Sequence, residues 1–380
     1  MHNPVRATFA LLLGLLAIVS STAQTLTTDF VNAGYAITDL GSITDLPTPY
    51  GGLTIREGSP DTLFIGGTAN QTGGAVYKVP LVRDAGTQQI TGFAGPAVLF
   101  AAAPNIDGGL SFAPNGTMLY TRYSMNEFGQ LLTSNTTLSI PLTPLGIASS
   151  VGSHVLVPAG SPGAGNLLMA SYSASIMYKV PFTIGVDGDY QPSTPTTNVS
   201  VNALASGPEG IAYVPSGSAG FTNPSMVVSA YSMGKIVAFE VDADGLPIPA
   251  TARDMITGLS GAEGAFIDPL TGDFLFSTFG GTNRVIRVSG FEAPNAITEI
   301  QRAPAALQLA PNPTDGPVRL QVDATTRITA VEVIDVNGHI VLRSAPQADR
   351  TIDLSTLPAG VYTVRAYGTS GVLVGRVVRA

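Results

Sequence analysis

The sequence predicts an all-β chain: a β-propeller with five detectable blades, six being left open, followed by a small C-terminal β-sandwich. Three observations lead there. Glycine and proline are abundant, 43 and 28 of 380 residues, with no collagen period, which suits many short strands joined by turns. Short apolar stretches alternate with those turns along the whole length. An internal repeat of roughly 50 residues also runs through most of the chain, a period that signals propellers or solenoids. A hydrophobic fraction of 44% against 12% charged residues excludes a disordered chain. The net charge of -8 speaks against a nucleic-acid partner.

The chain opens as an export signal. Arg6 precedes an apolar run from Ala7 to Val19, and Ser21-Thr22-Ala23 places small residues before Gln24. A basic start, a short apolar stretch and a small-residue cleavage site predict a secretory signal peptide over residues 1–23. The run is shorter than the roughly 20 apolar residues of a membrane span, so the expected mature chain has none. Cysteine is absent, which excludes disulfides, a thiol nucleophile and cysteine-ligated metals. Stability must come from core burial, for which the chain is long enough.

Residues 24–304 form the expected propeller. Ala75-Val76-Tyr77-Lys78-Val79-Pro80-Leu81 recurs as Ile176-Met177-Tyr178-Lys179-Val180-Pro181-Phe182, and Tyr123-Ser124-Met125 recurs as Tyr231-Ser232-Met233, with Tyr172-Ser173 between them. Five units start near Gly52, Gly109, Ser153, Gly210 and Gly264. Each holds a first strand, a proline or glycine turn, an apolar second strand such as Met226–Ser229, a third such as Lys235–Glu240, and a weaker fourth. Four antiparallel strands repeated radially make propeller blades. The fifth unit lacks a fourth strand, and Tyr35–Leu40 upstream can supply it by pairing near Arg284–Val288, closing the ring and hiding sheet edges. The unusual length of unit 1 keeps a sixth blade open.

Chemistry-bearing residues are few in this region. His154 is its only histidine, which excludes a multi-histidine zinc site and leaves no evident serine triad; a packed histidine is the expectation. Asp107, Glu209 and Glu263 recur just before the first strand in units 2, 4 and 5, and His154 holds nearly the same place in unit 3. Innermost strands line a propeller channel, so these side chains are candidates to converge at one mouth. Asp107, Glu209 and Glu263 would suit a hard cation such as Ca²⁺; alternatively each acid orders its own turn through backbone hydrogen bonds. Asp187-Gly188-Asp189 and Asp242-Ala243-Asp244-Gly245 lack the glutamate of a calcium loop and read as hairpin turns. Tyr77, Tyr123, Tyr172, Tyr178 and Tyr231 are expected to pack between blades. No catalytic residue can be assigned.

Pro208-Glu209-Gly210-Ile211 and Ala262-Glu263-Gly264-Ala265 resemble the innermost strands of gluconolactonase-like, calcium-dependent propellers. The likeness covers a few residues per blade and implies, as an alternative function, a metal-dependent hydrolase such as a lactonase.

The tail, residues 305–380, is a different module. It carries seven arginines and six acids, against ten bases and twenty acids in 24–304. Alternating segments such as Val318–Val322, Ala330–Ile334 and Val361–Arg365 predict a small antiparallel sandwich. Pro311-Asn312-Pro313, the Asp335-x-x-Gly338 turn, Leu357-Pro358-Ala359-Gly360-Val361-Tyr362 and the basic last strand resemble the type A sorting domain of the Bacteroidota type IX secretion system. That resemblance implies export through the periplasm and across the outer membrane, recognition by the type IX machinery, and a secreted or surface-held cargo. Sparse ionisable residues favour a cargo that binds a small ligand or another envelope component.

Overall fold

The computed structural model describes residues 24–281, 283–293, 307–322, 328–335, 340–344, 349–368 and 371–380; the signal-peptide expectation for 1–23 and Gly338 of the tail motif lie outside them. The chain divides between residues 294 and 295 into two compact units.

Five antiparallel four-stranded blades, some carrying added strands, make the first unit. Blade 1 orders Leu53–Ile55, Thr62–Gly67, Ala75–Arg83 and Val98–Ala102. Blade 2 orders Ile106–Phe112, Met118–Arg122, Glu127–Leu131 and Thr137–Pro141. Blade 3 orders Val151–Leu156, Leu167–Ser171, Ile176–Val180 and Thr197–Ser200. Blade 4 orders Pro208–Tyr213, Ser225–Ala230, Lys235–Glu240 and Arg253–Thr257, and blade 5 orders Ala262–Ile267, Phe274–Thr278, Val285–Ser289 and Ala36–Gly41. The second strands are apolar at nearly every position because both faces of each blade are covered by its neighbours. Ser225–Ala230 and Phe274–Thr278 are buried throughout.

A ring is the only arrangement that accounts for the cores. Five apolar clusters lie at five successive interfaces: blades 1 and 2, 2 and 3, 3 and 4, 4 and 5, and 5 and 1. The ring closes through the N-terminal segment as expected, with Ala36 opposite Ser289, Ile37 opposite Val288 and Thr38 opposite Arg287. The length of unit 1 is not a sixth blade. Its third strand runs on to Arg83 and pairs there with Ile90–Phe93, an added hairpin, while Val98–Ala102 makes the fourth strand. Phe182–Ile184 and Tyr190–Pro192 form a similar extra hairpin in blade 3, with Asp187-Gly188 in its turn. At the Asp242 turn, the Asp242 carboxylate accepts hydrogen bonds from the Asp244 and Leu246 amides.

One feature of the N-terminus was not visible in the sequence. Thr25–Leu26 adds a fifth strand to blade 4, pairing with Ile256 and Thr257, before a short helix at Thr28–Asn32. Phe30 and Tyr35 then enter the core between blades 4 and 5, against Phe221 and Phe291. The Arg253 guanidinium lies 5.2 Å from the Phe30 and Phe221 ring centres.

The seam between blades 5 and 1 carries a buried electrostatic latch. Arg83 of blade 1 donates two hydrogen bonds to Asp268 of blade 5, at 2.7 and 3.0 Å, with side chains 6% and 0% exposed. Arg287 of blade 5 donates to the Ile90 carbonyl of blade 1. Removing one member of a buried pair strands its partner's charge and costs about 3–5 kcal/mol, whereas an apolar pair of similar volume is close to neutral. Arg83→Ala is therefore expected to lower stability by that amount, and Arg83→Met with Asp268→Leu by much less. Urea denaturation of the two variants checks this; equal losses would refute it.

The second unit is a two-sheet sandwich. Gln308–Ala310, Pro317–Gln321 and Thr351–Asp353 form one sheet; Ile340–Ser344, Ile328–Ile334, Gly360–Gly368 and Gly371–Arg379 form the other. Leu309, Val318, Leu320, Val333, Val364 and Val377 are among the residues that fill the space between them. The motif residues have structural duties. Asn312, between Pro311 and Pro313, donates to the Arg376 carbonyl and accepts from the Val378 amide, which ties it to the last strand. Tyr362 donates to the Pro358 carbonyl at 2.8 Å, Leu357 packs on the core, and Gly360 begins a strand. Asp335 directly follows the Ile328–Ile334 strand.

Candidate functional site

The innermost strands bring Asp107, Glu209 and Glu263 together, each offering a carboxylate oxygen within 4.8 Å of the others. The device that does this is a β-bulge. Pairing of first and second strands slips between Ile106 and Leu110, between Pro208 and Gly210, and between Ala262 and Ala265. A bulge leaves a residue unpaired and re-aims its side chain, and each slip contains one of the three acids. In blade 3 the slip falls between Val151 and Ser153, so the residue in that position is Gly152. A Cβ there would stand 2.7 Å from Glu209 Oε2; the glycine makes room for the carboxylate.

His154 is therefore not the blade 3 counterpart of the acids. It lies two residues beyond the bulge, outside the three-carboxylate group. Its Nε2 is 2.8 Å from Ser111 Oγ, its ring meets Phe128 edge-on at 5.2 Å, and burial pulls its pKa down to about 3. It is a neutral packed histidine.

The expected channel mouth is also corrected. The three acids are buried, Asp107 at 0%, Glu263 at 1% and Glu209 at 3% exposed, because the glycine-rich first strands close on one another at the axis. The Gly52 amide donates to the Asp107 carbonyl at 2.8 Å, and a Cβ on Gly108 would fall 2.0 Å from the Glu209 carbonyl oxygen. Five blades converge too tightly to leave these carboxylates at a surface.

Electrostatically the cluster is unbalanced. With all three acids ionised, both Asp107 oxygens, Glu209 Oε2 and Glu263 Oε1 are buried without a donor; a proton on either glutamate would bridge it to Asp107. Burial drives the Asp107 pKa up to about 8, with the neighbouring Asn70 amide opposing part of the shift. Burial and then the Asp107 charge push Glu209 and Glu263 well above the usual carboxylate range. Like charges this close cannot all ionise unless something positive joins them.

Tyr77 and Tyr178 pack in interblade cores as expected. Tyr123, Tyr172 and Tyr231 do something different. Together with Phe279 they form an arc of half-buried rings in successive edge contact, with centres 6.2, 5.9 and 6.0 Å apart. Each follows the second strand of its blade, from blade 2 to blade 5. The repeated Tyr-Ser-Met was the signal for this arc.

Comparison with known proteins bears on the tail and on the fold. Residues 308–379 match the family described as the secretion system C-terminal sorting domain. The second unit is thus a type IX sorting domain, and the chain is a cargo of that machinery, delivered to the cell surface or secreted. No curated protein matches the chain. Among solved structures, the virginiamycin B lyase of Staphylococcus aureus is 11% identical, covering 67% of this chain and 99% of its own, with a TM-score of 0.36. The Cps50 (Swd1) β-propeller domain of Myceliophteria thermophila is 13% identical, covering 67% and 99%, at 0.38. A protein assigned as a 6-phosphogluconolactonase from Bacteroides uniformis is 14% identical, covering 88% of each chain, at 0.35. The propeller assignment rests on the strand order and the five interblade cores rather than on these likenesses. Among the described residues, no helix is long and apolar enough to cross a membrane.

Proposed function

We propose that this exported cargo is a binding propeller whose ring centre holds one hard divalent cation, Ca²⁺ by its chemistry, on Asp107, Glu209 and Glu263. The observation that carries the reading is the convergence of three buried acidic side chains, each offering a carboxylate oxygen within 4.8 Å of the others. Oxygen-only donors of this charge suit Ca²⁺, and the Asn70 side-chain amide stands beside Asp107. A bound cation would offset most of the cluster's charge and tie blades 2, 4 and 5 together at the axis. The lactonase alternative needs the same carboxylates to meet a substrate; their burial favours holding an ion over hydrolysis.

The test is a calcium-dependent melting temperature. A ligand that binds only the folded state stabilises it by mass action, by about 2.7 kcal/mol at a hundred times its Kd. Ca²⁺ is expected to raise the midpoint of the wild type and to leave Glu209→Gln/Glu263→Gln unmoved. Without cation, pH gives a second readout. The cluster carboxyls have raised folded pKa values, so their stabilisation is complete below the unfolded value and is lost as pH rises through about 8. His154 acts with the opposite sign, but only between about 3 and its unfolded value of about 6.5. Asp273, raised to about 6, is finished below that window. In chelator, the midpoint should therefore fall from about pH 7 to 8.5, and Ca²⁺ or the double variant should flatten the fall. A flat wild-type profile with no calcium response would refute the reading.

A further inference from the structure

The aromatic arc and the carboxylate cluster lie at the same end of the ring. The acids sit at the starts of the first strands, and the rings directly follow the ends of the second strands, which run antiparallel to them. Each ring holds the same position in successive blades, a fifth of a turn apart in a five-bladed ring, and meets its neighbour edge-on. Tyr123, Tyr172, Tyr231 and Phe279 thus take four corners of a pentagon around the axis, with Thr68 following the second strand in blade 1. A regular pentagon with such an edge has its centre about 5 Å from each corner, inside the ~6 Å reach of a cation–π contact.

We propose that this collar binds an organic cation, its ammonium group seated on the axis between Tyr123, Tyr172, Tyr231 and Phe279 and above Asp107, Glu209 and Glu263. The proposal rests on the cluster reading only in that the carboxylates supply the attracting charge. Chemistry selects the ligand class. Buried carboxylates cannot hydrogen-bond a sugar hydroxyl at the surface, so they act on a ligand through their field alone, and a field discriminates by charge. Burial raises the Tyr231 pKa first, and Glu263, Tyr172, Glu209 and Asp107 add to it when ionised. Aromatic rings above an anionic floor are the surroundings that favour an ammonium over a neutral group of equal shape. Three ionised carboxylates around one Ca²⁺ leave one net negative charge, so the floor of the collar stays attractive to an ammonium with the ion in place.

Choline chloride is the probe, and its uncharged carbon isostere 3,3-dimethyl-1-butanol the control, each titrated into the full mature chain by calorimetry. Tyrosine fluorescence gives a second signal, clean because the chain has no tryptophan. Choline is expected to bind at least tenfold more tightly than the isostere. Tyr172→Ala and Tyr231→Ala should each weaken choline about tenfold, while Tyr231→Phe, which keeps the ring, stays within about threefold. The calcium-dependent melting shift should survive Tyr231→Ala. Equal binding of choline and the isostere would show an apolar patch only and overturn the proposal, as would no choline binding at millimolar concentration. The two readings fail separately: choline binding without a calcium shift sinks the metal site alone, and a calcium shift without choline binding sinks the collar alone.

Discussion

A chain that begins at residue 42 will fail to form the ring, whereas one that begins at residue 24 will fold. The lost segment does three jobs. Ala36–Gly41 supplies the fourth strand of blade 5, and its removal bares the edge of Val285–Ser289, an unpaired row of amides and carbonyls open to aggregation. Thr25–Leu26 covers the outer edge of blade 4. Phe30 and Tyr35, 2% and 4% exposed, fill the core between the two blades. Deleting one buried large aromatic costs about 3–5 kcal/mol, and two of them with a whole strand match the 5–15 kcal/mol that holds an ordinary domain together. The expected result is loss of near-ultraviolet circular dichroism and of a cooperative melt, both restored by adding a peptide of residues 24–41. A truncated chain that melts like the full one would show that the ring does not depend on its closing strand.

What could be read from the sequence follows from what repeats. Strand positions recurred with the blades because every blade solves the same burial problem, so Met118, Leu167, Met226 and Phe274 marked second strands that are buried in the fold. The closing strand was legible because the fifth unit was visibly one strand short. The strand at Thr25–Leu26 was not, since two residues carry no period and their partner lies 230 residues away. The length of unit 1 is ambiguous for a related reason: the added hairpin of Leu81–Arg83 with Ile90–Phe93 looks, in one dimension, like the start of another blade.

The site was legible in composition and obscure in geometry. Three acids at one unit position pointed to a cluster, but the bulges that aim them depend on backbone register, which a single strand does not display. For that reason His154 looked equivalent to Glu209, when the equivalent residue is Gly152, whose merit is having no side chain. Burial was hidden as well, because how tightly five blades close depends on glycines such as Gly108 meeting backbone across the axis. Tyr123, Tyr172 and Tyr231 read in sequence as a repeat that packs; their place directly after second strands separates them from Tyr77 and Tyr178, which lie on third strands.

Deleting residues 305–380 should leave the propeller folded and stop its delivery. The apolar core of the sandwich is built from residues 307–377 alone, and the five propeller cores end at Phe291, so the cut removes one core whole and opens none of the others. Residues 24–304 should then melt at the temperature of the longer chain to within a few degrees, and keep the calcium response if Asp107, Glu209 and Glu263 bind the ion unaided. In the native host, the shortened chain should accumulate in the periplasm, because the sorting domain is what the secretion machinery recognises. A finer variant separates folding of the tail from recognition. Asn312→Ala removes two hydrogen bonds to the last strand, at about 1 kcal/mol each, and should reduce delivery while leaving the propeller's melt untouched. Fractionation and immunoblotting of surface, medium and periplasm read the outcome. Normal delivery of the deletion would show that the propeller carries its own address; an unfolded 24–304 would show that the sandwich is part of the propeller's stability rather than a separate passenger.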